Sequence, residues 1–90
     1  MAITQKEFKQ YYNELEQVLL DQDIDKLTLF IEKWEKVYSK GYVERFKSAS
    51  PLVKEITLHK LIVNYKKLPA HIRVNSRCWL TSRGYDLKIN

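Results

Sequence analysis

Apolar side chains return every three or four positions along most of this chain, and that spacing predicts helices. The first run is Phe8, Tyr11, Tyr12, Leu15, Val18 and Leu19. Thr4 precedes it with Glu7 three residues on, a pair in which each side chain can satisfy the other's orphan backbone N–H. Ile3 and Phe8 occupy the staple positions around that cap. The pattern predicts a helix from about Gln5 to Leu20.

A second stripe follows at Leu27, Phe30, Ile31, Trp34, Val37 and Tyr38, with Asp23 as its N-cap. Lys36 and Lys40 fall in its last turn, where the helix dipole favours cations. Gly41 supplies a left-handed residue to end it, and Tyr42 can fold back on Val37. So short a connection between the two helices predicts an antiparallel pair. Residues 42–50 read as a connector holding one helical turn around Val43 and Phe46.

Ser50 followed by Pro51 is a preferred N-cap and first-turn pairing, and it opens a third helix. That helix must stop before Pro69, because the residue preceding proline avoids the helical region. Its apolar residues fall on two sides: Leu52, Val53, Ile56 and Val63 on one, Leu58, Leu61, Ile62 and Tyr65 on the other. Such a helix is either the central one or part of a subunit interface.

The last twenty residues allow two structures. Ala70–Ser82 as a helix puts Ile72, Trp79 and Leu80 on one face. As strands, residues 71–89 alternate apolar with polar and could form a hairpin around Gly84. An echo favours the helix: the segments 37–42 and 80–85 both run apolar, any, Ser, cation, Gly, Tyr, as at a helix C-terminus. The expected fold is mainly α, a small three-to-four-helix bundle with its first two helices antiparallel. The alternative is three helices plus a C-terminal β-hairpin over residues 71–89.

Composition adds limits. Ninety residues predict one domain, spanning 1–90, and a 44% hydrophobic content is too apolar for a disordered chain. A lone cysteine, Cys78, points to a reducing, cytoplasmic setting. The opening residues lack the apolar stretch of a secretory leader, and no apolar run is long enough to span a bilayer.

Charge changes the picture more. Residues 1–44 hold six lysines against nine carboxylates, net −3; residues 45–90 hold ten cations against two carboxylates, net +8. From Ile56 to Tyr85 there is no acidic side chain. Lys60, Lys66, Lys67, Arg73, Arg77 and Arg83 all lie in that stretch and are the candidate nucleic-acid-binding residues. Tyr65, Trp79 or Tyr85 could stack on unpaired bases beside them.

Catalytic and metal motifs fail on inspection. Asp21, Asp23, Asp25 and Glu32 match four positions of a calcium loop, but Lys26 stands where glycine must allow the sharp turn. His59, His71, Cys78 and Met1 are the only soft ligands, and their spacing fits no zinc pattern. Cys78 and His71 could share a helix face, but nothing is placed to orient the histidine. Two glycines cannot build a phosphate-cradling loop.

The expectation is therefore a non-enzymatic binding module with no cofactor, no metal and no membrane contact. Its partner is an acidic macromolecule, most simply nucleic acid held by the basic C-terminal half. The alternative is a protein–protein interaction module (adaptor, regulator or inhibitor) that binds an acidic protein surface or forms a homodimer.

Overall fold

A computed structural model of the chain describes residues 3–89. Six helices follow one another: α1 (Gln5–Asp21), α2 (Ile24–Lys33), α3 (Glu35–Tyr38), α4 (Lys40–Ser48), α5 (Pro51–Asn64) and α6 (Ala70–Ser82). The molecule is mainly helical, with no strand among the described residues. It uses six segments where the periodicity suggested three or four.

α1 opens on the reciprocal cap. Thr4 Oγ1 accepts from the Glu7 N–H at 3.1 Å, and Glu7 Oε1 accepts from the Thr4 N–H at 3.1 Å. It closes at Gln22, a left-handed residue (φ 51°) without being glycine. Asp23 Oδ1 then accepts from the N–H groups of Asp25 and Lys26 and starts α2. The pairs Asp21–Lys26, Glu14–Lys33 and Glu7–Lys36 run down α1 as they run on past α2, so the two helices are antiparallel. Between them Tyr11 meets Phe30 at 5.2 Å and Trp34 at 5.4 Å, ring centre to ring centre.

The predicted second helix does not run unbroken to Gly41. It stops at Trp34 (φ −101°, ψ 40°), resumes for one turn as α3, and stops again at Ser39 (φ 76°). Gly41 lies inside α4. The break sets Tyr38 against Tyr11, hydroxyl to hydroxyl at 2.6 Å, and stacks it on Tyr42 at 5.4 Å. Burial, followed by the Tyr11 hydrogen bond, pushes the Tyr38 phenol well above its ordinary pKa. Ser39 becomes the N-cap of α4, its Oγ accepting from the Tyr42 N–H at 3.3 Å. The supposed connector is thus a helix of nine residues that buries Val43 and Phe46.

α5 starts as predicted, with Ser50 Oγ accepting from the Val53 N–H at 3.3 Å. It ends at Asn64, and a turn carries the chain to Leu68, which is buried against Tyr65 and the residues of the core. Of its two apolar stripes, Leu58 and Ile62 are buried and Leu61 and Tyr65 pack beside them. Leu52 and Val53 on the other stripe stay about half exposed, at 49% and 48%. The core is continuous from Tyr11 in α1 to Leu68.

The C-terminal hairpin does not form. α6 occupies residues 70–82 and makes the most extensive helix–helix contact of the molecule, with α5. The reason is visible in what each structure would bury. A strand would put Ile72, Val74, Ser76, Cys78 and Leu80 on one face, whereas the helix buries Ser76 and Leu80, one turn apart, and leaves Val74 and Cys78 exposed. Gly84 ends α6 in the left-handed region (φ 79°). The Tyr85 N–H reaches Leu80 O at 3.0 Å and the Gly84 N–H reaches Thr81 O at 3.1 Å, the paired bonds of a Schellman cap.

Candidate nucleic-acid interface

The six candidate cations sit on α5, α6 and the links around them, and the fold treats them differently. Lys66 and Lys67 are exposed in the turn between the two helices. Arg73 and Arg77 lie one turn apart on α6 and line one shallow depression of about 130 Å³ with Val63, Ala70 and Val74. Arg73 Nε donates to Leu68 O at 3.0 Å, so its guanidinium is anchored to the same turn that carries the lysines. Lys66, Lys67 and the anchored Arg73 thus mark the α5–α6 corner, and Arg77 lies one helical turn further along α6.

The other two are drawn away. Lys60 pairs with Asp86 at 3.3 Å, and its side chain is only 16% exposed. Backbone hydrogen bonding from Lys88, then the Lys60 ammonium, holds the Asp86 carboxyl below its ordinary range. Arg83 folds over the Trp79 ring at 4.2 Å and donates from Nη1 to Trp79 O at 3.1 Å. Trp79 follows Arg77 by two residues, which on a helix places it about 160° round the axis. Arg83 therefore serves the opposite flank of α6.

The aromatic residues named for base stacking are engaged. Trp79 stacks on His59 at 4.3 Å and faces Tyr85 at 6.2 Å. Tyr65 packs against the core and donates from Oη to Tyr12 O at 3.4 Å. Burial, then the nearby Glu16 charge, raises the Tyr65 phenol. Tyr12 itself is exposed at 44% and stacks on the exposed Phe8 at 5.6 Å. The i, i+4 spacing of these two rings was visible in the sequence; that they would remain outside the core was not.

Charge pairing falls unevenly along the chain. Five ion pairs occur among the described residues. Four neutralise Lys26, Lys33, Lys36 and Lys47 against Asp21, Glu14, Glu7 and Glu32. None reaches Lys66, Lys67, Arg73, Arg77 or Arg83. Glu7 is held below the ordinary carboxylate range by the Lys36 hydrogen bond and the Thr4 backbone. At Glu14 burial works in the opposite sense, but hydrogen bonds from Lys33, Gln10 and Trp34 outweigh it and the pKa is again lowered.

Other polar groups settle into structural roles. Asp23 caps α2, which runs straight through the calcium-loop positions. His71 and Cys78 are exposed on α6, and Met1 lies outside the described residues. Among the described residues no three His, Cys, Asp or Glu side chains come together as a metal set. None of the helices is long and apolar enough to cross a membrane.

One polar pair was not anticipated. His59 Nδ1 lies 2.9 Å from Ser76 Oγ, and Ser76 is buried at 1% exposure. Burial lowers the His59 pKa, Glu55 opposes that, and Arg83 adds to it. The residues are 17 apart on two helices, so no local spacing signals the bond.

Comparison with protein-family models, with characterised proteins and with solved structures gives no match to this chain.

Proposed function

We propose that the protein is a non-enzymatic binding module that holds a nucleic-acid phosphate backbone on the α5–α6 corner. The observation that supports this reading is that Lys66, Lys67, Arg73 and Arg77, on the α5–α6 turn and the first turns of α6, make no ion pair with a carboxylate among the described residues. Lys60 and Arg83, whose side chains are engaged within the fold, contribute less. With Tyr65 and Trp79 already packed, the corner offers charge rather than rings, which favours backbone contact with little sequence preference.

Fluorescence anisotropy with a labelled random-sequence duplex, titrated at several salt concentrations, tests it. Four neutralised phosphates give a slope of log affinity against log salt of about −3 to −4. Replacing Lys66, Lys67 and Arg77 together by Ala brings that slope to about −1. Binding with a flat slope, or an unchanged slope in the triple variant, rules the reading out.

A second reading has its own observation. Phe8 and Tyr12 form an exposed aromatic pair on α1, and Tyr65 links Tyr12 to the turn that holds Lys66 and Lys67. Aromatic anchors beside cations suit an acidic protein surface, including the acidic half of a second copy. Phe8→Ala and Tyr12→Ala leave duplex binding unchanged under the first reading and abolish partner binding under the second. Light scattering on a size-exclusion column checks for the homodimer.

A further inference from the structure

The second apolar stripe of α5 is not simply solvated. With α4 it walls a groove of about 250 Å³ lined by Tyr42, Val53, Ile56, Thr57, Lys60 and Ile89. The groove continues past Tyr42, Val53 and Thr57 into a second depression of about 180 Å³ bounded by Arg45, Phe46 and Ala49. Its floor is apolar, no carboxylate lines it, and cations stand at both ends, Lys60 at one and Arg45 at the other.

The chain's own tail shows what chemistry fits there. After Gly84, Asp86 reaches Lys60 at 3.3 Å, the Asn64 side chain donates to Leu87 O at 2.8 Å, and Ile89 enters the wall of the groove. A carboxylate on the cation and a half-exposed aliphatic side chain in the wall are thus both present in cis, at one end only. Val53 stays half exposed, and Arg45 has no partner in an ion pair among the described residues.

We propose that the α4–α5 groove is a docking site for a protein segment carrying aliphatic residues beside a carboxylate, and that residues 86–89 occupy one end of it in cis. The tail is a partial mimic of the partner. An incoming segment takes the Arg45 end first and competes with Ile89 for the Lys60 end. Because the competitor is covalently attached, the intact chain binds the segment more weakly than the open groove would.

The test uses the full chain and a labelled decapeptide built on the tail order Asp, Leu, any residue, Ile, alongside the same peptide with Lys for Asp. Ile89→Ser vacates one end while leaving every charge in place, and it raises affinity for the acidic peptide about threefold or more. Val53→Glu, at an exposed position, lowers that affinity about tenfold by placing a carboxylate in the groove. Arg45→Glu, fully on the surface, lowers it about threefold without touching the core. Equal affinity for the two peptides, no binding to the Ile89→Ser chain, or indifference to Val53→Glu with an unchanged circular dichroism spectrum overturns the proposal. Duplex binding at the α5–α6 corner is unaffected by all three substitutions, so failure here is distinct from failure there.

Discussion

The first two helices and the last two are built alike, as antiparallel pairs, but they dispose of charge in opposite ways. Around α1 and α2 three lysines meet carboxylates, Lys26 with Asp21, Lys33 with Glu14, and Lys36 just beyond α2 with Glu7, while Lys6 and Lys9 on α1 stay outside the ion pairs found among the described residues. Exposed pairs of this kind add little stability, so their main effect is to cancel charge locally. On α5 and α6, among the described residues, only Lys60 finds an acid, while Arg83 folds onto Trp79 and Arg77 faces solvent. Among the described residues, three of the six lysines of residues 1–44 are in ion pairs, against two of the ten cations of residues 45–90. A surface that attracts polyanions needs unmatched cations more than it needs many of them.

The comparison breaks most visibly if the two sides do not share one folding transition. Leu27 in α2 and Leu80 in α6 are both fully buried. Each Leu→Ala change is expected to cost about 2–5 kcal/mol and to move the urea midpoint without altering the slope. A split transition, or a lowered slope in the Leu80→Ala chain alone, would mean that α6 opens separately from the core.

Removing equal charge from the two sides sharpens it next. Lys66, Lys67 and Arg77 changed to Ala weaken duplex binding about tenfold or more, roughly 1.4 kcal/mol. Lys26, Lys33 and Lys36 changed to Ala lose the same formal charge and leave binding within about twofold. Equal losses in an anisotropy titration would show that net charge, not placement, governs attraction.

Helix ends provide a smaller contrast. α1 closes on a left-handed Gln22, while α6 closes on a left-handed Gly84. Gln22→Gly should stabilise the fold by about 0.5–1 kcal/mol, and Gly84→Ala should destabilise it by about 1 kcal/mol. Thermal or urea unfolding reads both. Matching signs would contradict the backbone geometry at one of the two sites.

The smallest effects are those of pH. Glu7, Glu14, Asp21 and Asp86 have folded pKa values below their ordinary range. The stability they contribute is present above the carboxylate range and is lost as pH falls through it. His59 differs in chemistry but not in direction. Its folded pKa lies below 6.5, so the fold prefers the neutral ring. That preference is fully felt above pH 6.5 and fades as pH falls towards the folded value. Stability measured between about pH 7 and 5 should decline in the native chain and flatten in His59→Gln. An unchanged profile would assign the decline to the carboxylates alone.

Much of the fold was legible because its signals act within a few residues. The Thr4–Glu7 cap, the Asp23 cap, the Ser50–Pro51 start and the Gly84 stop all appear where the sequence predicts them. The apolar stripe of α2 marks its buried face, and that of α1 does so at Tyr11, Leu15 and Leu19 but not at Phe8 and Tyr12. Local signals could not choose between Gly41 and Ser39 as the end of the second stripe, because that choice depends on Tyr38 reaching Tyr11 across 27 residues. Nor could they tell which stripe of α5 meets the core, since both have the same periodicity and only the position of α1 and α2 distinguishes them.

The same division applies to the candidate site. Sequence determined that the late cations outnumber nearby acids, which is a matter of composition. Tertiary structure decided which of them stay available. It tied Lys60 to Asp86 across 26 residues, laid Arg83 on Trp79, put Arg73 and Arg77 on one depression, and left Lys66 and Lys67 exposed in the turn before α6. Helical spacing fixes neighbours three or four positions apart, whereas ion pairing and burial depend on which distant segments packing brings within a few ångströms.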